Sequence, residues 1–169
     1  SGTAAVQISA SVHVMNATVE ALIGAGARIN TTAGSEHANQ SVLVSAANDY
    51  QLIGIAGGAG ISGTVAATPA VDVSVVANTV RAGIGANAQV EAQRDVEVRA
   101  RAAEDVLIVT IAIAGAGKVA VAGAIGVFVT NAVTYASIGD GATVTAGGNV
   151  IVVALAATDI DLFGLGAGL

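Results

Sequence analysis

The 169-residue sequence predicts an all-β chain: a β-solenoid (β-helix) or a closely related stacked-sheet repeat structure. Three observations predict it. A motif recurs three times, apolar residues alternate with period two around it, and the apolar content is carried by small and β-branched residues.

The motif begins with a Val-x-Val pair, at Val12 and Val14, Val73 and Val75, and Val127 and Val129. Eleven residues after the first Val stands Ile23, Ile84 or Ile138, each followed by a glycine, Gly24, Gly85 or Gly139. Two residues further on come Gly26, Asn87 and Gly141, then Ala27, Ala88 and Ala142. Gly and Asn enter the left-handed α region at the lowest cost, so a position held only by these two reads as a tight turn with positive φ. Val19, Ala21 and Ile23 before the turn, and Ala27 and Ile29 after it, alternate with the period of a strand. Asn16, Asn78 and Asn131 also recur between the Val pair and the Ile, the middle one offset by one residue.

The whole chain, 1–169, reads as a single repeat array with approximate units 11–71, 72–125 and 126–169, the last incomplete. Ile23 to Ile84 is 61 residues and Ile84 to Ile138 is 54. The difference falls after the first turn, because Ile23 to Val42 is 19 residues whereas Ile84 to Val96 and Ile138 to Val150 are 12. Asn30 to Ser41, with Thr31, Thr32, Ser35, Glu36, His37 and Asn39, is therefore expected to be a longer surface loop. Each unit runs on into a Gly-rich stretch, at 56–60, 114–117 and 164–168, expected to be close-packed strands or bends. Because the third unit stops inside that stretch, the array is expected to be cut from a longer one.

Composition narrows the function classes. Hydrophobic residues make up 54% and charged residues 11%, which excludes a disordered segment. Two Phe, two Tyr and no Trp leave no stacking platform for bases or sugars. A net charge of −6 argues against an electrostatic hold on nucleic acid or anionic lipid. The absence of Cys excludes disulfides and thiolate metal sites. The long apolar run Val106 to Thr130 is too rich in Val and Ile to read as a membrane helix, and the aromatic girdles of a lipid-facing barrel are missing, so no transmembrane span is expected.

Catalytic signals are sparse. His13, between Val12 and Val14, and His37, in the inserted loop, have no partner at metal-ligand spacing and read as surface histidines. The sequence leaves a Ser-His-Asp set open but contains no G-x-S-x-G elbow. Asp49, Asp105 and Asp159 read as turn formers. Gly115-Ala116-Gly117-Lys118 lacks the Ser/Thr and the helix of a phosphate loop. No enzyme activity and no cofactor are expected. Calcium is the one metal a repeat array of this kind would take, although the Gly-Gly-x-Gly-x-Asp pattern is absent.

One feature points to an interface. Glu91, Glu97, Arg99 and Arg101 alternate with Val90, Val96, Val98 and Ala100, as on a strand with one solvated face. At the same count past the turn, the third unit has Ile151, Val153 and Leu155 in place of Glu97, Arg99 and Arg101. That face is expected to be covered by another part of the chain, a further repeat or a second subunit.

The pattern V-x-V, Asn, A-x-I-G-x-G-A-x-V, then V-x-V-x-A and a Gly/Ala-rich apolar stretch, resembles the repeat regions of large bacterial surface proteins. These are the filamentous haemagglutinin-like or leukotoxin-like adhesins and autotransporter-type passengers. The resemblance covers nearly the whole chain and implies export to the cell surface or beyond, and a stacked-sheet stalk. It also implies a structural or adhesive role, with self-association into a stalk, filament or matrix. The implied partners are copies of the chain or further repeats, and no catalytic residue is carried over. The competing reading is a ligand-binding β-solenoid for a host receptor, a glycan or an ice surface. Thr18, Thr79 and Thr134 come near the Thr ladder that ice binding wants, without sharing one register.

Overall fold

The computed structural model describes residues 3–32 and 37–169, and no helix occurs among them. The chain makes three similar passes. The first comprises β1 (Ala4–Val6), β2 (Ser9–Ile23), β3 (Arg28–Ile29) and β4 (Val42–Ser62). The second comprises β5 (Val65–Ile84), β6 (Gln89–Ala92) and β7 (Val96–Ala116), and the third β8 (Val119–Ile138), β9 (Thr143–Ala146) and β10 (Val150–Gly168). Like strands lie side by side in parallel, giving three sheets: β1 and β2 with β5 and β8, β3 with β6 and β9, and β4 with β7 and β10.

The repeat read from the sequence is the strand register. Val12 pairs with Val73 and Val73 with Val127, and Ile23, Ile84 and Ile138 share one row. The corner after this row holds Gly26 (φ 68°), Asn87 (φ 57°) and Gly141 (φ 69°), all in the left-handed region that Gly and Asn tolerate. The glycine before each corner answers a different need. A Cβ on Gly85 would lie 2.5 Å from the backbone N of Ala25, and one on Gly139 2.7 Å from that of Ala86. The corners stack too closely there for any side chain. Asn87 donates its N–H to Asp140 O at 2.9 Å, and Gly26 donates to Ala86 O at 2.8 Å, so backbone bonds tie corner to corner.

Partners are 61 residues apart from β2 to β5 and from β3 to β6 (Arg28 with Gln89), but 54 apart from β4 to β7 (Val42 with Val96). The extra residues of the first pass therefore lie between β3 and β4, where the longer loop is expected; its Ser35 and Glu36 fall outside the described residues. Pro69 is also accounted for. It sits in the central strand β5, and the break between β1 and β2 falls opposite it, since Val6 pairs with Ala67 and Ser9 with Ala70. Proline has no N–H to give a neighbour, so the ladder is interrupted there.

The two long sheets face each other across a thin interior. Toward the corners it is apolar: Val80, Ala82, Ile84, Ala88, Val90, Val96, Val98 and Ala100 form a buried cluster, joined by Val19, Ala21 and Ile23. Glu97, Arg99 and Arg101 point outward from β7 as the alternation requires. Toward the other end the sheets approach closely because Gly and Ala line them. A Cβ on Gly166 would lie 2.9 Å from Ala122 O, and one on Gly168 2.8 Å from Ala120 O. The Gly-rich stretches are thus close-packed strands.

Two assignments from sequence are corrected. Asp49, Asp105 and Asp159 are not turn residues; they lie within the long strands β4, β7 and β10, with Asp105 and Asp159 paired in register. His13 is not on the outer face, because Val12 and Val14 are the exposed residues of β2 and His13 points between the sheets. Strand parity decides both cases.

Candidate functional site: edges, outer faces and a polar interior

Three features of the stack can carry function. The first is its pair of open ends. Strands β2, β3 and β4 end the stack on one side and β8, β9 and β10 on the other, and each of these has a strand neighbour on one side only. Their unpaired N–H and C=O groups are templates for a further layer. The turn positions Gly24, Gly26, Gly85, Asn87, Gly139 and Gly141 fix the spacing at which such a layer would arrive. A Cβ on Gly24, in the first layer, would meet nothing within 4 Å, unlike one on Gly85 or Gly139, each of which has a layer beneath it.

The second is the outer surface. On β4–β7–β10, Ile151 pairs with Glu97, Val153 with Arg99 and Leu155 with Arg101. Leu155 is 59% exposed, Ile151 stands at 36%, and Val153 is half-buried. Val153 and Leu155 form one wall of a shallow groove of about 460 Å³, with Arg99, Arg101, Ser45 and Ala47 on the rest. The three residues lie on the outward side of one terminal strand, beside Arg99 and Arg101 of its neighbour. Further along the same face Asp49, Asp105 and Asp159 line a second groove of about 290 Å³. Gln51 Nε2 donates to Asp105 Oδ2 at 2.9 Å. Among the described residues no group of three or more His, Cys, Asp or Glu is placed to hold a metal ion.

The outer surface changes character along the strands. Near the corners it carries charge: Glu20 and Arg81 are 3.5 Å apart, with the Arg81 guanidinium 5.4 Å from the Tyr135 ring centre, and Arg99 bonds Glu97. Toward the Gly-rich end it is apolar on both sheets, with Val12, Val14, Val75, Val127 and Val129 on one and Ile53, Ile55, Ile111, Ile113 and Phe163 on the other all exposed.

The third feature is the interior of that Gly-rich half, where polar side chains are buried beside apolar Val76, Val106 and Ile108. Asp72 is 0% exposed; Ser11 Oγ donates to its Oδ2, and Ser74 Oγ donates to its Oδ1 at 2.9 Å. His13 Nε2 lies 3.6 Å from Asp72 Oδ2, buried and without a hydrogen bond. Gly54 makes room for the carboxylate, since a Cβ there would lie 3.1 Å from Asp72 Oδ2. Ser11, His13 and Asp72 are therefore brought together, but the serine hydroxyl is spent on the aspartate. The histidine has no hydroxyl to deprotonate, so the set lacks the nucleophile–base contact of a hydrolase.

A second buried chain crosses all three layers. Asn48 Nδ2 donates to Asn78 Oδ1 at 2.7 Å, Asn78 Nδ2 to Glu104 Oε1 at 2.8 Å, and Thr158 Oγ1 to Glu104 Oε2 at 3.3 Å. The Tyr50 hydroxyl lies buried beside Glu104 without the geometry of a complete hydrogen bond. Burial first, and then the neighbouring Glu104 carboxylate, push the Tyr50 pKa up to about 12. Thr68 Oγ1 donates across the interior to Ile113 O at 2.9 Å.

These clusters were not read from the sequence, although the signal is there in parity. Within one unbroken strand, Val19, Ala21 and Ile23 inside oblige Ser11 and His13 to be inside as well. The offset of Asn78 has the same meaning: Asn16 and Asn131 share an outward row through Ala77, while Asn78 faces in. The Thr row ends likewise, since Thr18 pairs with Thr79 but Val133 continues the row and Thr134 points inward.

No helix among the described residues is long and apolar enough to cross a membrane; the run Val106 to Thr130 is the second half of β7, a corner at Gly117-Lys118, and the first part of β8. The chain matches no family model, no curated protein and no solved structure.

Proposed function

We propose that the chain is a β-solenoid segment of a secreted or cell-surface protein, a structural or adhesive module that extends a stalk, filament or matrix by adding layers. The observation that carries this reading is the register: three passes stack in parallel, corner on corner, and the stack ends in unpaired strands on both sides. Each layer buries its interior only against its neighbours, so such an array gains by lengthening. The buried polar groups support a scaffold role, because Asp72 and Glu104 are satisfied by side chains from adjacent layers. Buried polar networks that bridge layers fix register as well as adding stability. The partners are further repeats of the same chain or other copies of it.

The test is to insert a second copy of residues 65–118 after the first and compare both chains by electron microscopy and small-angle scattering. A stacking module lengthens along one axis by roughly 4.8 Å per added layer and resists urea better. An inserted copy that leaves the particle no longer and no more stable overturns the reading.

A further inference from the structure

We infer that the outer Val face of the β2–β5–β8 sheet, in the Gly-rich half, is the surface through which two copies of this chain pack side by side. The inference rests on the self-associating reading above but concerns a flat face, whereas that reading concerns the open edges.

The face is a set of in-register rows. Ala10, Val71 and Ile125 form one, Val12, Val73 and Val127 the next, and Val14, Val75 and Val129 the third. Val14 is 77% exposed and Val129 51%, so these β-branched ridges are uncovered. Gly123 pairs with Pro69 beside them and leaves a gap in the face, since a Cβ there would meet nothing within 4 Å. Ridges beside a gap let two sheets interdigitate. At its corner end the face is bordered by polar groups already paired, Glu20 with Arg81 and Arg81 with Tyr135. The opposite sheet is less suited, because Asp161 falls in the row of Ile53 and Leu107.

The area is sufficient. Val119 to Val129 is an 11-residue apolar stretch, which at about 3.3 Å per residue and about 4.8 Å per strand gives roughly 500 Å² over three strands. Two copies face to face bury roughly 1,000 Å², the lower threshold for a specific interface, and every added layer enlarges it. Identical in-register rows of β-branched residues are complementary to themselves, as an isologous pair requires. A bilayer suits the face poorly, because the unpaired strands β2 and β8 border it and lipid cannot satisfy their backbone groups.

The experiment is sedimentation of the full chain at micromolar concentration, with Val73→Lys, Gly123→Lys and, on the other sheet, Ile111→Lys. Gly123 has open space around it, so its variant keeps the fold even if Val73→Lys does not; circular dichroism checks both. The expected result is a pair for the parent chain and for Ile111→Lys, with pairing weakened about tenfold or more by Val73→Lys and Gly123→Lys, as for a charge buried without a partner. In micrographs these two variants still stack end to end but as single-width rods. A parent chain without side-by-side pairs, whether monomer or single-width rod, or pairing unchanged in Gly123→Lys, overturns the inference, while single-width end-to-end rods leave the stalk reading standing. Flotation of a monomeric parent chain with phosphatidylcholine vesicles, lost in Gly123→Lys, gives the face to lipid and overturns it too.

Discussion

The corner half and the Gly-rich half of the stack obey opposite rules. Near the corners Val80, Ile84, Val90, Val96 and Val98 are buried and Glu20, Arg81, Arg99 and Arg101 face out. Some ten residues along the same strands, Asp72, Ser74 and Thr110 are buried and Val12, Val14, Ile55 and Ile113 are exposed. The backbone is the same parallel ladder throughout, so ladder hydrogen bonds cannot make the difference. What differs is the source of cohesion. The corner half is held by burial of β-branched side chains. The Gly-rich half brings its sheets close on Gly and Ala and bonds them with hydroxyls, amides and carboxylates. It buries Val76, Val106 and Ile108 beside those polar groups, and leaves many other large apolar groups outside.

Deleting apolar atoms is expected to matter at the buried rows and little at the exposed ones. Ile84→Ala, in the buried row, is expected to cost about 2–5 kcal/mol, whereas Ile55→Ala, 69% exposed in the Gly-rich half, is expected to cost less than about 1 kcal/mol. Urea denaturation of the two variants measures both, and equal losses would erase the distinction. The polar interior gives the next largest effect. Asn78→Ala strands the Asn48 amide and one Glu104 oxygen and should cost about 1–3 kcal/mol. Asn16→Ala, on the outward row, should change stability by no more than about 0.5 kcal/mol.

The smallest effect sharpens the picture of the interior as a function of pH. Tyr50 has its pKa raised from 10.0 to about 12, so the folded state disfavours its phenolate. The stability associated with a neutral Tyr50 is fully present below pH 10 and is lost as pH rises toward about 12. In a Tyr135→Phe background, ultraviolet absorbance should show the remaining phenolate forming near pH 12 in the folded chain and near pH 10 in urea. A folded-state midpoint at the ordinary value would mean that Tyr50 is not held against Glu104.

Much of the layering was legible in the residues. The three corners, the row of Ile23, Ile84 and Ile138, and the place of the inserted loop follow from spacing, because a left-handed corner admits few residue types and a ladder admits no slippage. The outward match of Ile151, Val153 and Leu155 with Glu97, Arg99 and Arg101 was legible for the same reason. The buried clusters were harder. A Val-x-Val pair looks like core wherever it occurs, and only its parity relative to Val19, Ala21 and Ile23 reveals that Val12 and Val14 face out. Asp49, Asp105 and Asp159 look like turn formers until the strands are seen to run through them.

The sequence by itself determined the period and the equivalent corners of successive layers, since these depend on local backbone preference and on counting along the chain. Tertiary structure alone decided that Ser11, His13 and Asp72 meet, and that Asn48, Asn78, Glu104 and Thr158 join in one chain of hydrogen bonds. Those contacts join adjacent layers, facing sheets or both, and their partners lie 26 to 61 residues apart in sequence. The ladder register brings Ser11 and His13 to Asp72 and Thr158 to Glu104, and the close approach of the facing sheets brings Asn78 to Asn48 and Glu104.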